Sequence, residues 1–209
     1  MASFDVLIIG GGVAGMQCAL ILGSAKEKPF ASNKKIGIIL HQKASHLQNA
    51  LFNNALGIKP GTTGDQILKE GKEHLSTTYS HVSQINDEKV IAISPVQNGY
   101  EITTNRLVYY SKIVVLALNY SKPSTIKGIE KYIIPHKRSN VKKDRIQLKN
   151  VDLMVDKGLF VCGTIAGLRS QFAIAAGSGA TVATDILTLW NAGSHTKIHD
   201  KPPIKNPAN

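Results

Sequence analysis

The chain has 209 residues, 43% hydrophobic and 19% charged, which suffices for a buried core and excludes a disordered or fibrous protein. Its unbroken apolar runs, such as 6–9 and 113–118, are far shorter than the roughly 20 residues of a spanning helix, and its start lacks a basic leader, so a cytoplasmic chain with no membrane segment is expected. The formal charge is +11 but only 6% of residues are aromatic, too few for the stacking platform of a nucleic-acid binder, so the basic surface suits an acidic partner instead.

Residues 4–9 are dense in Val and Ile, as in a parallel strand buried on both faces, and the run ends at Gly10. Val13, Met16, Ala19, Leu20 and Leu22 follow a helical spacing over 13–25, and Pro29 stops its continuation. A lysine-bearing loop, 26–35, leads into the apolar strand 36–40, so the chain opens as a βαβ unit. Residues 41–63 read as a long loop with short helical pieces, followed by a helix over 63–75 capped by Thr62 or Thr63. Short antiparallel strands are expected at 90–93, 100–104 and 106–110 around the Asn98-Gly99 turn, then a core strand over 112–118. The stretch 119–157 is polar and basic, punctuated by Pro123, Gly128 and Pro135, and reads as a connector without a core of its own. A last strand at 159–162 and a helix over 171–190 complete a single domain, 1–193, with 194–209 as an extended or disordered tail.

Gly10-Gly11-Gly12-Val13-Ala14-Gly15 fits GxGxxG where the first strand meets the first helix, the context that a dinucleotide fingerprint requires. Gly10 permits the tight turn, Gly12 lets a pyrophosphate approach the backbone, and Gly15 lets helix and strand pack closely, while the helix N-terminus aims N–H groups at the phosphates. The strand-end position that usually carries a ribose-binding acid holds His41 and Gln42, which can bond a hydroxyl without charge. Cys18 and Cys162 form no CxxC and read as small buried hydrophobes. Too few Cys and His stand in register for a metal site. No residue is assigned as catalytic; His46, His74, His81 and His136 read as exposed loop residues.

The segment Gly158-Leu159-Phe160-Val161-Cys162-Gly163-Thr164, followed by 171–179, resembles the second FAD motif of the thioredoxin reductase family, a strand ending in Gly-Asp and then a Gln-led helix. The resemblance implies an α/β fold: a Rossmann-like FAD-binding domain, with a parallel sheet, helices on its faces and a small antiparallel β-sheet insertion. It implies FAD as cofactor, with Gly163 and Thr164 at the ribityl chain and Ser170, Gln171 and Phe172 beside the isoalloxazine. Asn49 and Asn54 resemble the flavin-contacting amides of the loop after the second strand, and Ala117 opens the counterpart of the family's Ala-Thr-Gly. Residues 127–130 resemble the Pro-x-x-x-Gly region that follows, and the match covers 3–120 and 150–190.

The departures shape the expected activity. The acid after the second strand is missing, Ala-Thr-Gly reads Ala117-Leu118-Asn119, and Gly-Asp reads Gly163-Thr164. Where the family inserts its NADPH domain and CxxC, only 119–157 is present. The resemblance thus implies a flavoprotein oxidoreductase without dithiol-disulfide activity, fed by a separate donor, either an acidic redox protein or a small molecule. Two other readings stay open: an FAD-binding interaction module that has lost turnover, and an NAD-dependent dehydrogenase. The oligomeric state is also open, a homodimer included.

Overall fold

The computed structural model describes residues 2–41, 47–121 and 126–199. In chain order the elements are β1 (Ala2–Ile9), α1 (Val13–Ser24), β2 (Ile36–Leu40), β3 (Leu51–Phe52), β4 (Thr62–Thr63), α2 (Gly64–Thr78), β5 (Ser83–Asn86), β6 (Val90–Val96), β7 (Gly99–Thr104), β8 (Val108–Leu116), β9 (Ile133–Pro135), β10 (Ile146–Leu148), β11 (Met154–Asp156), β12 (Leu159–Val161) and α3 (Phe172–Trp190).

The main sheet runs β11-β12-β8-β1-β2-β5, with β7 and then β6 added to the free edge of β8. β1 lies at its centre, parallel to β2 on one side and to β8 on the other. Period-2 alternation sends Val6 and Ile8 into one core and Leu7 and Ile9 into the other, which is why the strand reads as continuously apolar. The first core is closed by α1, by Leu75 of α2 and by Val182, Ala183, Ile186 and Leu187 of α3. The second is closed by β6 and β7 and by Ile126, Ile129, Ile146 and Leu148. Part of the polar 119–157 stretch therefore lies down on the sheet through these four residues, while Val141 and Val151 stay exposed.

The long strand β8 unites two runs expected to be separate. Its first half pairs antiparallel with β7 (Val108↔Thr103 to Ser111↔Tyr100), and its last three residues pair parallel with β12 on the same edge. β5 escaped the sequence reading because its residues, Ser83 to Asn86, carry one large apolar side chain, and an edge strand does not need more. Thr63 caps α2, its hydroxyl accepting the Gln66 N–H. Among the described residues, the loop after β2 contains the ribbon of β3 and β4 rather than helical pieces. At 19 residues α3 is long and apolar enough to cross a membrane by length and composition, which the short unbroken apolar runs concealed; its buried stripe belongs to the core.

Candidate cofactor-binding site

Strands β1, β2 and β5 follow each other outward in one direction and β8 and β12 in the other, so the strand order reverses between β1 and β8. In open α/β sheets the crevice beyond the carboxyl ends at that reversal is where ligands bind. A cleft of about 640 Å³ opens there, within the size range of small-molecule and cofactor sites. Its walls come from the residues that leave β1, β2, β8 and β12, and from the start of α3.

The glycine fingerprint divides into two kinds of glycine. Gly10 has φ +114°, and a Cβ there would collide with the Ala117 carbonyl oxygen; a Cβ on Gly15 would collide with the Gly10 carbonyl oxygen. Both are required by the protein's own packing. Gly12 is different: its φ of −73° suits any residue, and no atom lies within 4 Å of where its Cβ would stand. It lines the cleft beside Gly10, Gly11, Val13 and Ala14. Gly12 is also the N-cap of α1 and has no side chain to cap it, so the first N–H groups of this helix can serve an anion.

Ala117, Gly163, Thr164, Ser170, Gln171, Phe172 and His41 also line the cleft, with Ala117 beside Gly10 and Gly163 beside Ala14. Gln171 caps α3, its side-chain oxygen accepting the Phe172 N–H at 2.7 Å, and so fixes where the positive end of a 19-residue helix meets the cleft. The first turn of α1 meets α3 two turns beyond that helix's start: a Cβ on Gly179 would overlap the Ala14 carbonyl, and one on Gly163, ahead of α3, would lie 3.2 Å from Ala14 Cβ.

Four expected positions stand apart from the wall as described. Asn49 and Asn54 are exposed and do not line the cleft; the wall is made instead by Leu47, Ala50 and Phe52 of the same loop. The β3–β4 ribbon turns Phe52 inward, where its ring meets Phe172 edge-on at 5.4 Å, and the amide that matters to the loop is Asn53, whose oxygen accepts the Gly61 N–H. Gln42 lies outside the described residues, as does His46. Gly15 stands behind the wall, consistent with its packing role.

The sequence reading missed Glu88, Lys89, Val90, Tyr120 and Ile146, which also line the cleft. Glu88 is a buried carboxylate whose two oxygens accept Thr104 Oγ1 (2.6 Å) and Tyr109 Oη (2.8 Å). Burial, together with this bond, pushes the Tyr109 hydroxyl up to about 12, so it stays a donor. His136 is buried rather than exposed, with its ring 5.2 Å from that of Tyr120. Both cysteines are fully buried. Burial pushes the Cys162 thiol up to about 12 and the Cys18 thiol higher than usual as well, so neither offers a thiolate at neutral pH.

No protein-family model matches the sequence, nor does any curated protein. Solved structures do match the fold. An oxidoreductase from Agrobacterium tumefaciens aligns with a TM-score of 0.68 at 13% identity, over 90% of this chain and 99% of that one. The thioredoxin reductase of Streptococcus pyogenes aligns at 0.67 and 15% identity, over 91% and 99%. A ferredoxin-flavin thioredoxin reductase from Clostridium acetobutylicum aligns at 0.66 and 16% identity, over 92% and 99%. Identities this low speak for architecture, and the architecture is that of the thioredoxin-reductase-like oxidoreductases: this chain has their Rossmann-like FAD-binding fold.

Proposed function

We propose that the cleft binds FAD and that the protein is a flavoprotein oxidoreductase supplied with electrons by a separate donor. The observation that carries this reading is Gly12, where no described residue beyond its chain neighbours would meet a side chain, placed at an uncapped helix N-terminus inside the cleft. A pyrophosphate approaching the backbone supplies the missing reason. Bound flavin supplies two-electron chemistry. The chain's own part is to hold it: α1 faces the phosphates, the start of α3 sets its positive end near the ring that becomes anionic on reduction, and Phe52 with Phe172 keeps that end apolar. Mass spectrometry of cofactor released from the native protein tests the reading; FAD is expected, and FMN alone would refute it because FMN has no pyrophosphate.

The donor in this reading is an acidic redox protein. Exposed Lys127, Lys131, Lys137, Lys142, Lys143 and Lys149 give the 119–157 stretch a positive surface beside the cleft, and such association weakens as salt rises. The likeness to a ferredoxin-flavin thioredoxin reductase points the same way. A second reading, an FAD-binding module without turnover, draws on the burial of both thiols. Photoreduction followed by timed reoxidation separates the two, since a module without turnover should not pass its electrons to any added acceptor.

A further inference from the structure

The short 3-10 turn Thr164–Ala166 lies between Gly163 and Gly167, at φ +74° and +85°, and contributes Gly163, Thr164 and Ile165 to the cleft wall. Within the turn Thr164 O accepts the Gly167 N–H at 3.0 Å, and the turn's carbonyls keep further lone pairs open to other donors. Here they are taken up by side chains from the β9–β10 ribbon and the residue pair that follows it. His136 Nε2 lies 3.0 Å from Thr164 O. Arg138 Nη1 donates to Gly167 O at 2.8 Å, and Asn150 Nδ2 donates to Ala166 O at 3.2 Å. The tautomer of His136 follows from its other nitrogen: Nδ1 accepts the Arg138 N–H at 3.1 Å, which leaves the proton on Nε2, directed at Thr164 O. The turn is therefore set from two sides, by the ribbon through three carbonyls and by α1 through the contact of Gly163 with Ala14.

We propose that His136 is a positioning residue for the cofactor: its Nε2–H bond to Thr164 O, completed by Arg138 and Asn150, holds the 163–167 turn at the spacing from α1 that the flavin end of FAD needs. This rests on the FAD reading. The ribbon that occupies the 119–157 stretch is then a working part of the site rather than a spacer.

Two variants of the full chain separate donor from bulk. His136→Gln places an amide donor near the Nε2 position, whereas His136→Asn keeps an acceptor near Nδ1 and loses the donor. Equilibrium binding of FAD and of ADP to the cofactor-stripped protein, with visible circular dichroism of bound flavin, is the measurement. FAD affinity should fall by up to about tenfold in His136→Asn, the loss of one part-buried hydrogen bond, and stay within about twofold in His136→Gln. The flavin dichroism should change only in the Asn variant. ADP reaches the α1 turn but not the 163–167 turn, so its affinity should be the same in all three proteins. Equal FAD affinity in both variants, or a parallel loss of ADP binding, would overturn the positioning role. Parent protein that binds ADP but no FAD would instead overturn the flavin assignment on which the role depends.

Discussion

Gly10, Gly12 and Gly15 belong to one motif yet answer to different neighbours, and substitution should separate them. Gly10→Ala puts a side chain onto the Ala117 carbonyl at a positive φ, so a stability loss of about 1–3 kcal/mol is expected in chemical denaturation. Gly12→Ala meets nothing in the chain and should leave stability within about 1 kcal/mol of the parent while weakening the cofactor. Gly12→Asp adds a negative charge where phosphates approach and should abolish FAD binding in a fully folded protein; retained occupancy would show that the turn is structural only. These glycines were legible because their spacing is local. Glu88 and His136 were not, because their partners lie far along the chain: Thr104 and Tyr109 for Glu88, 16 and 21 residues away, and Thr164 for His136, 28 residues away. Nothing near either residue announces those bonds.

At the level of elements, strands buried on both faces were readable from their apolar runs, whereas pairings that depend on an edge were not. β8 was divided because its apolar content changes midway, at the point where one edge passes from β7 to β12. One polar contact ties these strands together at the end of the sheet remote from the cleft. Asp5 on β1 accepts the Lys35 N–H ahead of β2 and the Lys112 ammonium on β8, each at 2.9 Å. Burial pushes the Asp5 carboxyl up, but the bonds from Lys35 and Lys112 outweigh it and leave its pKa below the ordinary value. A carboxyl depressed in the folded state stabilises fully above its unfolded pKa, near 3.9, and that contribution is lost as pH falls through the folded value. Asp5→Asn should therefore narrow the loss of stability seen in denaturation below about pH 4, with little change in its steepness at neutral pH. An identical acid limb in the variant would assign it to other carboxylates.

For the molecule as a whole, the proposed cofactor would occupy the cleft at the strand-order reversal, and part of the 119–157 stretch packs on the sheet and against the 163–167 turn. Among the described residues of that stretch the strands β9, β10 and β11 pair only antiparallel, without the parallel βαβ unit of a second nucleotide-binding domain. Stopped-flow mixing with NADPH should accordingly show slow bleaching of the flavin band that rises linearly with concentration. Fast, saturable bleaching would mean that the domain contains a nicotinamide site of its own.

The contact of Gly179 and Gly163 with Ala14 bears on how the cofactor enters. The start of α1 and the body of α3 are fastened backbone to backbone at Ala14 and Gly179, so the spacing of the two helices is fixed like the jaws of a set caliper. A long, two-ended ligand cannot be admitted by parting those jaws. The cleft wall that is not built on these helices carries Leu47, Ala50 and Phe52, held by the short β3–β4 ribbon, so a ligand that needs more room would displace those residues rather than the helices.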